Sequence, residues 1–333
     1  NTLSPRASLV SSAKTLKLNG SWRFRWLPSL QDRLTPPSFP ADHSDFIPVP
    51  SSFVMPHLDD FLKEPHGLPA YTNVNFPFPI DVPFPPDQNG VGEYERDVSW
   101  PNPPERAYLR FDGIEGAGDI WWNGSYLGST RGSRLPSEFD ISGLVKAENK
   151  LSVRVYTFSA ASYIEDQDEW WLPGIIRAVS VIERPQLAID DVAVATSFEN
   201  GVAKLMVTVN GASNPSDNIE ISIAEIDTRI TAGTWTVVPG ALPWTAETPN
   251  LYTLNVKRGD EVDGEQVRVR FGFRSVSIEN SMLVVNGAPV QFRGVNRHEH
   301  HPLWGRAVPE ETVREELALM KRSNINAIRT SHY

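Results

Sequence analysis

The sequence contains no cysteine among its 333 residues, and this absence excludes both disulfide bonds and thiolate zinc sites. It also lacks any run of about 18 apolar residues, the length that a helix needs to cross a membrane. No stripe of Lys and Arg offsets the formal net charge of -10, so nucleic acid is a poor partner. We therefore expect a protein that folds without cross-links and binds neither membranes nor nucleic acid.

The first 20 residues lack the apolar centre of a signal peptide and do not begin with Met, so we interpret the start as processed or trimmed. We expect a cytoplasmic location, with secretion as the alternative. Two Asn-Gly-Ser triplets, at Asn19 and Asn123, match the glycosylation pattern. Asn-Gly is also a common tight-turn dipeptide, and a turn is the simpler interpretation.

Short alternating apolar runs separated by turn residues continue to about residue 275, which predicts β-sandwich domains. A change of pattern near Pro185 divides them. We expect an N-terminal extension over 1–15, a first sandwich over 16–185 and a second, of immunoglobulin-like size, over 186–276. The proline-rich stretch at 76–86 cannot form a central strand, because its prolines lack amide donors, and we expect it to cross a surface as a polyproline-like strap.

The pattern changes again in residues 277–333. A hairpin at Asn286-Gly287 and a strand are followed by a helix with Pro309 in its first turn, and then by a second strand. This β–α–β order is typical of a parallel sheet or a (β/α)8 barrel, and two strands cannot close a barrel. We interpret the segment as the truncated start of one. The apolar stripe of its helix would need a cover: Val313, Leu317 and Met320.

The stretch HEHH, residues 298–301, holds three of the seven histidines. Zinc proteases place H-E-x-x-H on a helix, whereas this stretch follows a strand. Alternation there sends His298 and His300 to one side and Glu299 and His301 to the other, and this spacing argues against a metal site. Histidines that bond to carbonyls or carboxylates at the rim of a sheet explain the stretch equally well.

Two other stretches have polar side chains suited to sugars. The acidic turn, SYIEDQDEWWLPGIIR at 162–177, places Asp168 and three further carboxylates beside two tryptophans. Such charges need cations, hydroxyl donors or an ion, and a carboxylate beside an aromatic face suits a sugar, although a solvated turn over core tryptophans remains an alternative. Asn73, before the proline strap, offers a donor and an acceptor to a hydroxyl, or forms an Asx-turn.

These stretches together carry a family resemblance. The chain from about residue 16 to residue 333 resembles the β-galactosidases of glycoside hydrolase family 2 in motifs that occur in the same order. They are YTNV, SRLPSEFD, YIEDQDEWWLPGIIR, WTAETPNLY, RGVNRHEHHPLWGRAV and LMKRSNINAIRTSHY.

The resemblance implies a mainly β chain: a jelly-roll sugar-binding domain, an immunoglobulin-like domain and the first βαβ unit of a (β/α)8 catalytic barrel. It implies that Asn73, Asp168, His298 and His332 contact the galactosyl unit and that Asp168 helps to hold a sodium ion. It also implies that Arg329 positions the nucleophile of the parent enzyme. The partner is then a galactose-containing carbohydrate.

The resemblance also implies what is missing from this stretch of chain. Retaining glycosidases need two carboxyl groups about 5 Å apart. In the family both are glutamates on later barrel strands, as are the magnesium ligands, so no catalytic residue falls within these 333 residues. We expect no hydrolysis by this chain alone and no tightly bound Na+ or Mg2+. The alternative is a lectin-like protein that binds galactosides without cleaving them. In either case we expect residues 277–333 to be covered by an oligomer or by the remainder of the parent enzyme, or else to be poorly ordered.

Overall fold

The structure, a computed structural model, describes residues 3, 9–29, 32, 35–55, 66–73, 75–211, 218–260 and 263–331. Strands dominate this part of the chain, as the sequence predicts. One short helix, α1 (Ser162–Glu165), interrupts the strands of the first half. Those strands are β1 (Val10–Ser11), β2 (Thr15–Lys17), β3 (Gly20–Leu27), β4 (Phe46–Val49), β5 (Ala70–Thr72), β6 (Val91–Ser99), β7 (Ala107–Phe111), β8 (Ile114–Glu115), β9 (Ala117–Trp122), β10 (Ser125–Thr130), β11 (Ser137–Asp140), β12 (Glu148–Tyr156), β13 (Glu169–Trp171), β14 (Gly174–Ile175) and β15 (Val179–Glu183).

Strands β2 to β15 belong to the jelly-roll domain, and ten of them form its two main sheets. A six-stranded sheet, in the order β10-β9-β12-β6-β3-β4, faces a four-stranded sheet, in the order β11-β7-β15-β2. Alternate residues of both sheets enter one core, where Trp22, Tyr94 and Trp122 of the larger sheet and Phe111 of the smaller one are almost fully buried. The pairs β5-β13 and β8-β14 lie outside these two sheets and carry much of the site described below.

The turn predicted at Asn123-Gly124 is confirmed. Both residues have positive φ, 52° and 81°, and they join β9 to β10. The Asn123 amide nitrogen donates to the Leu144 carbonyl and to the Asn149 side chain, both at 3.0 Å. These bonds engage the atom that a glycan would need, which favours the turn interpretation of this triplet.

The proline-rich stretch at 76–86 forms no strand within its described residues, as its prolines predict. It lies across aromatic side chains: Phe76 is 5.3 Å from Tyr163 and Phe78 is 4.8 Å from Phe158, measured between ring centroids. The Tyr163 hydroxyl donates to the Phe84 carbonyl at 2.8 Å. The stretch is thus a surface strap, although bends and a turn interrupt the continuous polyproline form expected for it.

A second, immunoglobulin-like sandwich follows. One sheet has the order β16-β17-β20 and the other β1-β22-β21-β18-β19, so the N-terminal strand β1 pairs with β22 and not with the jelly roll. Both sheets contribute to one core, in which Leu205, Leu254 and Phe273 are fully buried. The strands are β16 (Ile189–Glu199), β17 (Val202–Gly211), β18 (Ile219–Ile223), β19 (Thr228–Ile230), β20 (Thr236–Val237), β21 (Tyr252–Arg258) and β22 (Glu265–Phe271).

The last segment contains the predicted βαβ unit. A three-stranded antiparallel sheet, β23-β24-β25, turns at Asn286-Gly287 as predicted, with φ of 51° and 80°. Strands β26 and β27 then pair in parallel, with Asn296 opposite Arg329, and helix α2 connects them. The elements are β23 (Val276–Glu279), β24 (Met282–Val285), β25 (Ala288–Pro289), β26 (Gly294–Asn296), α2 (Glu310–Arg322) and β27 (Ala327–Arg329).

Helix α2 corrects one detail of the sequence analysis. Pro309 is the N-cap and not part of the first turn, because its ψ of 142° is extended, and the helix begins one residue later. No residue of α2 is buried, and Leu317 is 44% exposed. No helix within the described ranges is long and apolar enough to span a membrane.

Candidate functional site

Strands β5 and β13 bring two of the predicted site residues together. The strands are antiparallel, with Tyr71 opposite Trp170. The Asn73 amide nitrogen donates to Asp168 Oδ1 at 3.0 Å, and the Tyr71 hydroxyl donates to the same oxygen. Asn73 and Asp168 are therefore neighbours although 95 residues separate them in the sequence.

An aromatic surface adjoins this carboxylate. The rings of Tyr71 and Trp170 lie 5.2 Å apart and are 49% and 44% exposed, so they present an apolar face to the solvent. The hydrogen bond to Asp168 raises the pKa of Tyr71, which keeps the phenol protonated. A carboxylate, an amide and exposed rings are the groups that bind a sugar ring through its hydroxyls and its C–H face.

Two other carboxylates of the acidic turn meet donors, as the density of charge there predicts. Glu165 accepts the Ser133 hydroxyl, and Glu169 accepts Arg306 at 2.7 Å and pairs with Arg134 at 2.7 Å. The two tryptophans differ, since Trp171 is buried and Trp170 is not. The alternative of a solvated turn over two core tryptophans is thus wrong for Trp170.

Glu169 belongs to a buried group of four charges, which we call the ion cluster: Glu115, Arg134, Glu169 and Arg306. Arg306 Nε is 3.0 Å from Glu115 Oε2, and Arg134 Nη2 is 3.5 Å from Glu115 Oε1. Burial raises the pKa of Glu115, while the two guanidinium groups oppose that shift. Two carboxylates and two guanidinium groups balance in charge, which is what makes their burial tolerable. The cluster ties the jelly roll to the segment that follows β26.

The HEHH stretch begins as alternation predicts. The rings of His298 and His300 are nearly parallel, at 11°, with centroids 5.4 Å apart. Glu299 points to the other side, where it pairs with Arg297. Arg297 also binds Glu316 of α2 at 2.7 Å, so Glu299 supports the barrel segment and does not face the histidines.

The prediction for His301 was wrong. Its backbone pairs with that of Gly305 in both directions, at 2.8 and 2.9 Å, and its Nδ1 accepts the backbone amides of Leu303 and Trp304. This tight turn ends the strand-like alternation and brings His301 to the same side as His300. His301 therefore has a structural role in this turn, but its ring accepts backbone amides and does not bond to the carbonyls or carboxylates that the alternative interpretation expected.

A cavity of about 360 Å³ joins the two stretches. Trp170 and Leu172 of the acidic turn line it from one side, and His300 and His301 from the other. Burial, and then the charges of Arg306, His298 and Arg134, lower the pKa of His300 to about 4. At neutral pH its ring is therefore uncharged, with one nitrogen that donates and one that accepts.

The remaining predicted residues are His298, Arg329 and His332, and none of them lines this cavity among the described residues. His298 is one ring away from it, stacked on His300. Arg329 ends β27 with its side chain exposed, beside the strand that leads to HEHH. His332 lies outside the described residues.

The described residues do not form a metal site. Within them, no group of three or more His, Cys, Asp and Glu side chains is placed to hold an ion. Asp168 is one carboxylate whose Oδ1 already accepts two donors, so it could supply a single ligand to sodium and not a site.

Three residues contribute to the site that were not predicted from the sequence: Tyr71, His300 and Arg306. Tyr71 had a usable signal, because it lies two residues before Asn73 in a stretch with strand-like composition, where alternate side chains face the same side. Arg306 had none, since its partners Glu115 and Glu169 are more than a hundred residues earlier.

Comparison with known proteins agrees with this architecture. The sugar binding domain of glycosyl hydrolases family 2 matches residues 15–185, a further domain of the family matches 187–274, and its TIM barrel domain matches 276–333. A β-galactosidase of Arthrobacter sp. (strain B7) is 40% identical over 98% of this chain. The chain spans about a third of that relative's length, 34%.

Solved structures share the fold at lower identity. A β-glucuronidase of an uncultured Clostridium sp. superposes with a TM-score of 0.73 and 20% identity, over 100% of this chain and 57% of that one. A Ruminococcus gnavus β-glucuronidase, in complex with uronic deoxynojirimycin, gives 0.75 and 22%, over 96% and 55%. The family profile that covers more than half of the sequence, together with the β-galactosidase homologue, shows that the chain belongs to glycosyl hydrolases family 2.

Proposed function

We propose that this chain is the N-terminal portion of a retaining β-galactosidase, and that the intact protein hydrolyses terminal β-D-galactosides. The observation that carries the proposal is the group of Asp168, Asn73, Tyr71 and Trp170, set in a chain 40% identical to a β-galactosidase. Asp168 Oδ2 and the Asn73 carbonyl would accept sugar hydroxyls, and the exposed rings would cover the C–H face of the sugar.

The histidine side of the cavity supports the same proposal. Neutral His300 keeps a donor and an acceptor nitrogen next to Trp170, and His298 is stacked behind it. His298 and His332 would complete the contacts to the galactosyl unit. Arg329, at the end of β27, would hold the nucleophile of the intact enzyme.

The chain by itself would bind galactosides and would not hydrolyse them. Double displacement needs a nucleophile and an acid about 5 Å apart, and the proposal places both on later barrel strands. Asp168 and Glu299 do not substitute for them, because Asp168 is engaged by Tyr71 and Asn73 while Glu299 pairs with Arg297. A lectin-like protein on the same scaffold is the second candidate, since the sugar-facing groups of the acidic turn are complete.

The proposal also covers two metal ions and the partner of the barrel segment. Asp168 would give one ligand to a sodium ion, and magnesium would bind to residues elsewhere in the intact protein, where such ions stabilise developing charge. The exposed Leu317 of α2 and Ile328 of β27 would be covered by the remainder of the barrel or by another subunit.

Titration of the purified, mass-verified 333-residue chain with methyl β-D-galactopyranoside tests the binding part. We expect millimolar affinity that Asp168→Asn weakens by about tenfold or more, because a charged acceptor is lost. Asp140→Asn, an exposed aspartate on β11, is the matched control and should leave the affinity unchanged.

Release of nitrophenol from p-nitrophenyl β-D-galactoside tests the catalytic part. We expect no turnover by the chain alone, and turnover would refute the assignment of the catalytic glutamates to later strands. Submicromolar affinity for the galactoside without turnover would favour the lectin-like function. Equal affinity of the wild type and Asp168→Asn would remove Asp168 from the site.

A further inference from the structure

A second cavity, of about 300 Å³, lies on the jelly roll away from the acidic turn's cavity, and the two share no lining residue. Three neighbouring strands form its floor, β10, β9 and β12, and the chain at 158–160 forms one wall. Its residues belong to the first sandwich alone. The cavity is therefore complete without the barrel segment.

An aspartate held by two tyrosines is its central feature. The Tyr126 hydroxyl donates to Asp119 Oδ1 at 2.9 Å, and the Tyr156 hydroxyl donates to Asp119 Oδ2 at 2.8 Å. Burial and the carboxylate raise the pKa of both tyrosines, so both remain phenols. Each tyrosine also has a second side-chain partner, Ser129 for Tyr126 and Arg154 for Tyr156, so the two phenols are fixed in place. The Asp119 carboxylate can accept about four hydrogen bonds in all, and it is the acceptor that a ligand hydroxyl would meet.

Donors and apolar faces complete the lining. Arg131 brings a guanidinium group, and Ser159 accepts the Ala161 amide through its oxygen, which leaves its hydroxyl hydrogen to donate. The ring of Tyr126 is 57% exposed and is held against Trp121 with centroids 5.4 Å apart. Phe158 adds a second apolar face.

The balance of these groups selects a class of ligand. One carboxylate and one guanidinium cancel, so neither an anion nor a cation is favoured. Both oxygens of Asp119 already accept hydroxyls, which leaves it poorly suited to a metal. A carboxylate acceptor, the donors Arg131 and Ser159, and flat aromatic rings in a space of this size suit a neutral polyhydroxylated ring.

We propose that this cavity is a second carbohydrate site, which takes one pyranoside unit between the Asp119–Tyr126–Tyr156 clamp and Arg131. The site would hold a sugar without cleaving it. It goes beyond the proposed function, because it requires neither the barrel nor the galactoside pocket around Asp168.

The test uses the full 333-residue chain carrying Asp168→Asn, so that the first site is weakened. Methyl β-D-galactopyranoside and methyl β-D-glucopyranoside are titrated by saturation-transfer NMR and calorimetry. We expect saturable millimolar binding of at least one pyranoside, and a loss of about tenfold or more on adding Asp119→Asn or Arg131→Ala. Arg131 is exposed, so its variant stays informative if Asp119→Asn does not fold by circular dichroism.

Two results would overturn the proposal: no saturable binding of either pyranoside to the Asp168→Asn chain, or binding that Arg131→Ala leaves unchanged. The two proposals fail separately. Wild-type binding that depends on Arg131 but not on Asp168 would support the second site and refute the first, and the reverse dependence would do the opposite.

Discussion

The jelly roll and the barrel segment are both predicted well as secondary structure, yet they differ in what holds them. Leu109 and Phe111 of the jelly roll are fully buried, whereas α2 buries no residue and Ile278 of β23 is 78% exposed. The jelly roll closes its own core between two sheets, while two parallel strands and one helix cannot. The local sequence pattern thus determines the strands and helices in both regions. Of these two regions, within the described residues, only the jelly roll packs its strands into a buried core that stabilises them.

The largest effect should come from a cavity in the jelly-roll core. Phe111→Ala removes a fully buried ring that contacts Phe139 and should lower the free energy of unfolding by about 4 kcal/mol. Leu317→Ala on α2 is the comparison and should change it by less than about 0.5 kcal/mol. Urea unfolding followed by tryptophan fluorescence measures both. Similar losses in the two variants would show that α2 is buried in solution.

Breaking the ion cluster should weaken the attachment of the barrel segment to the jelly roll. Arg306→Ala leaves Glu115 and Glu169 buried with one cation fewer, a change that costs about 3 kcal/mol. We expect faster amide hydrogen exchange in residues 276–331, with the jelly-roll core still protected. Arg314→Ala, which breaks an exposed pair with Glu310, should have little effect. Unchanged exchange in the Arg306 variant would mean that the cluster does not hold the segment in place.

The smallest effect concerns pH. The folded pKa of His300 is about 4 against an ordinary 6.5, so the unfolded chain binds more protons between these values. Its contribution to stability is therefore complete above pH 6.5 and is lost as the pH falls towards 4. His300→Gln should make unfolding free energies fall less steeply than in the wild type between pH 6.5 and 4.5. Parallel curves for the two proteins would contradict the lowered pKa.

The features that could be predicted from the sequence are those whose interacting residues lie close together in it. Asn123-Gly124 and Asn286-Gly287 determine their turns through their own backbone preferences, and both turns were predicted. The partner of Glu169 was not, because Arg306 lies 137 residues later and no spacing rule connects them. Within the candidate site, Asp168 and His298 were predicted from their motifs, and their roles there stay predictions. The contribution of Tyr71 and the reversal at His301 depend on a strand pairing and a turn, which the motifs do not specify.

The pairing of β1 with β22 makes the order of synthesis differ from the order of assembly. Ser11 bonds to Glu265 across 254 residues, so β1 has no partner strand until β22 has been made, after the entire jelly roll. Contacts of such separation form late. The second sandwich is then completed by β1, and the jelly roll is a domain inserted in sequence between β1 and the other strands of that sandwich.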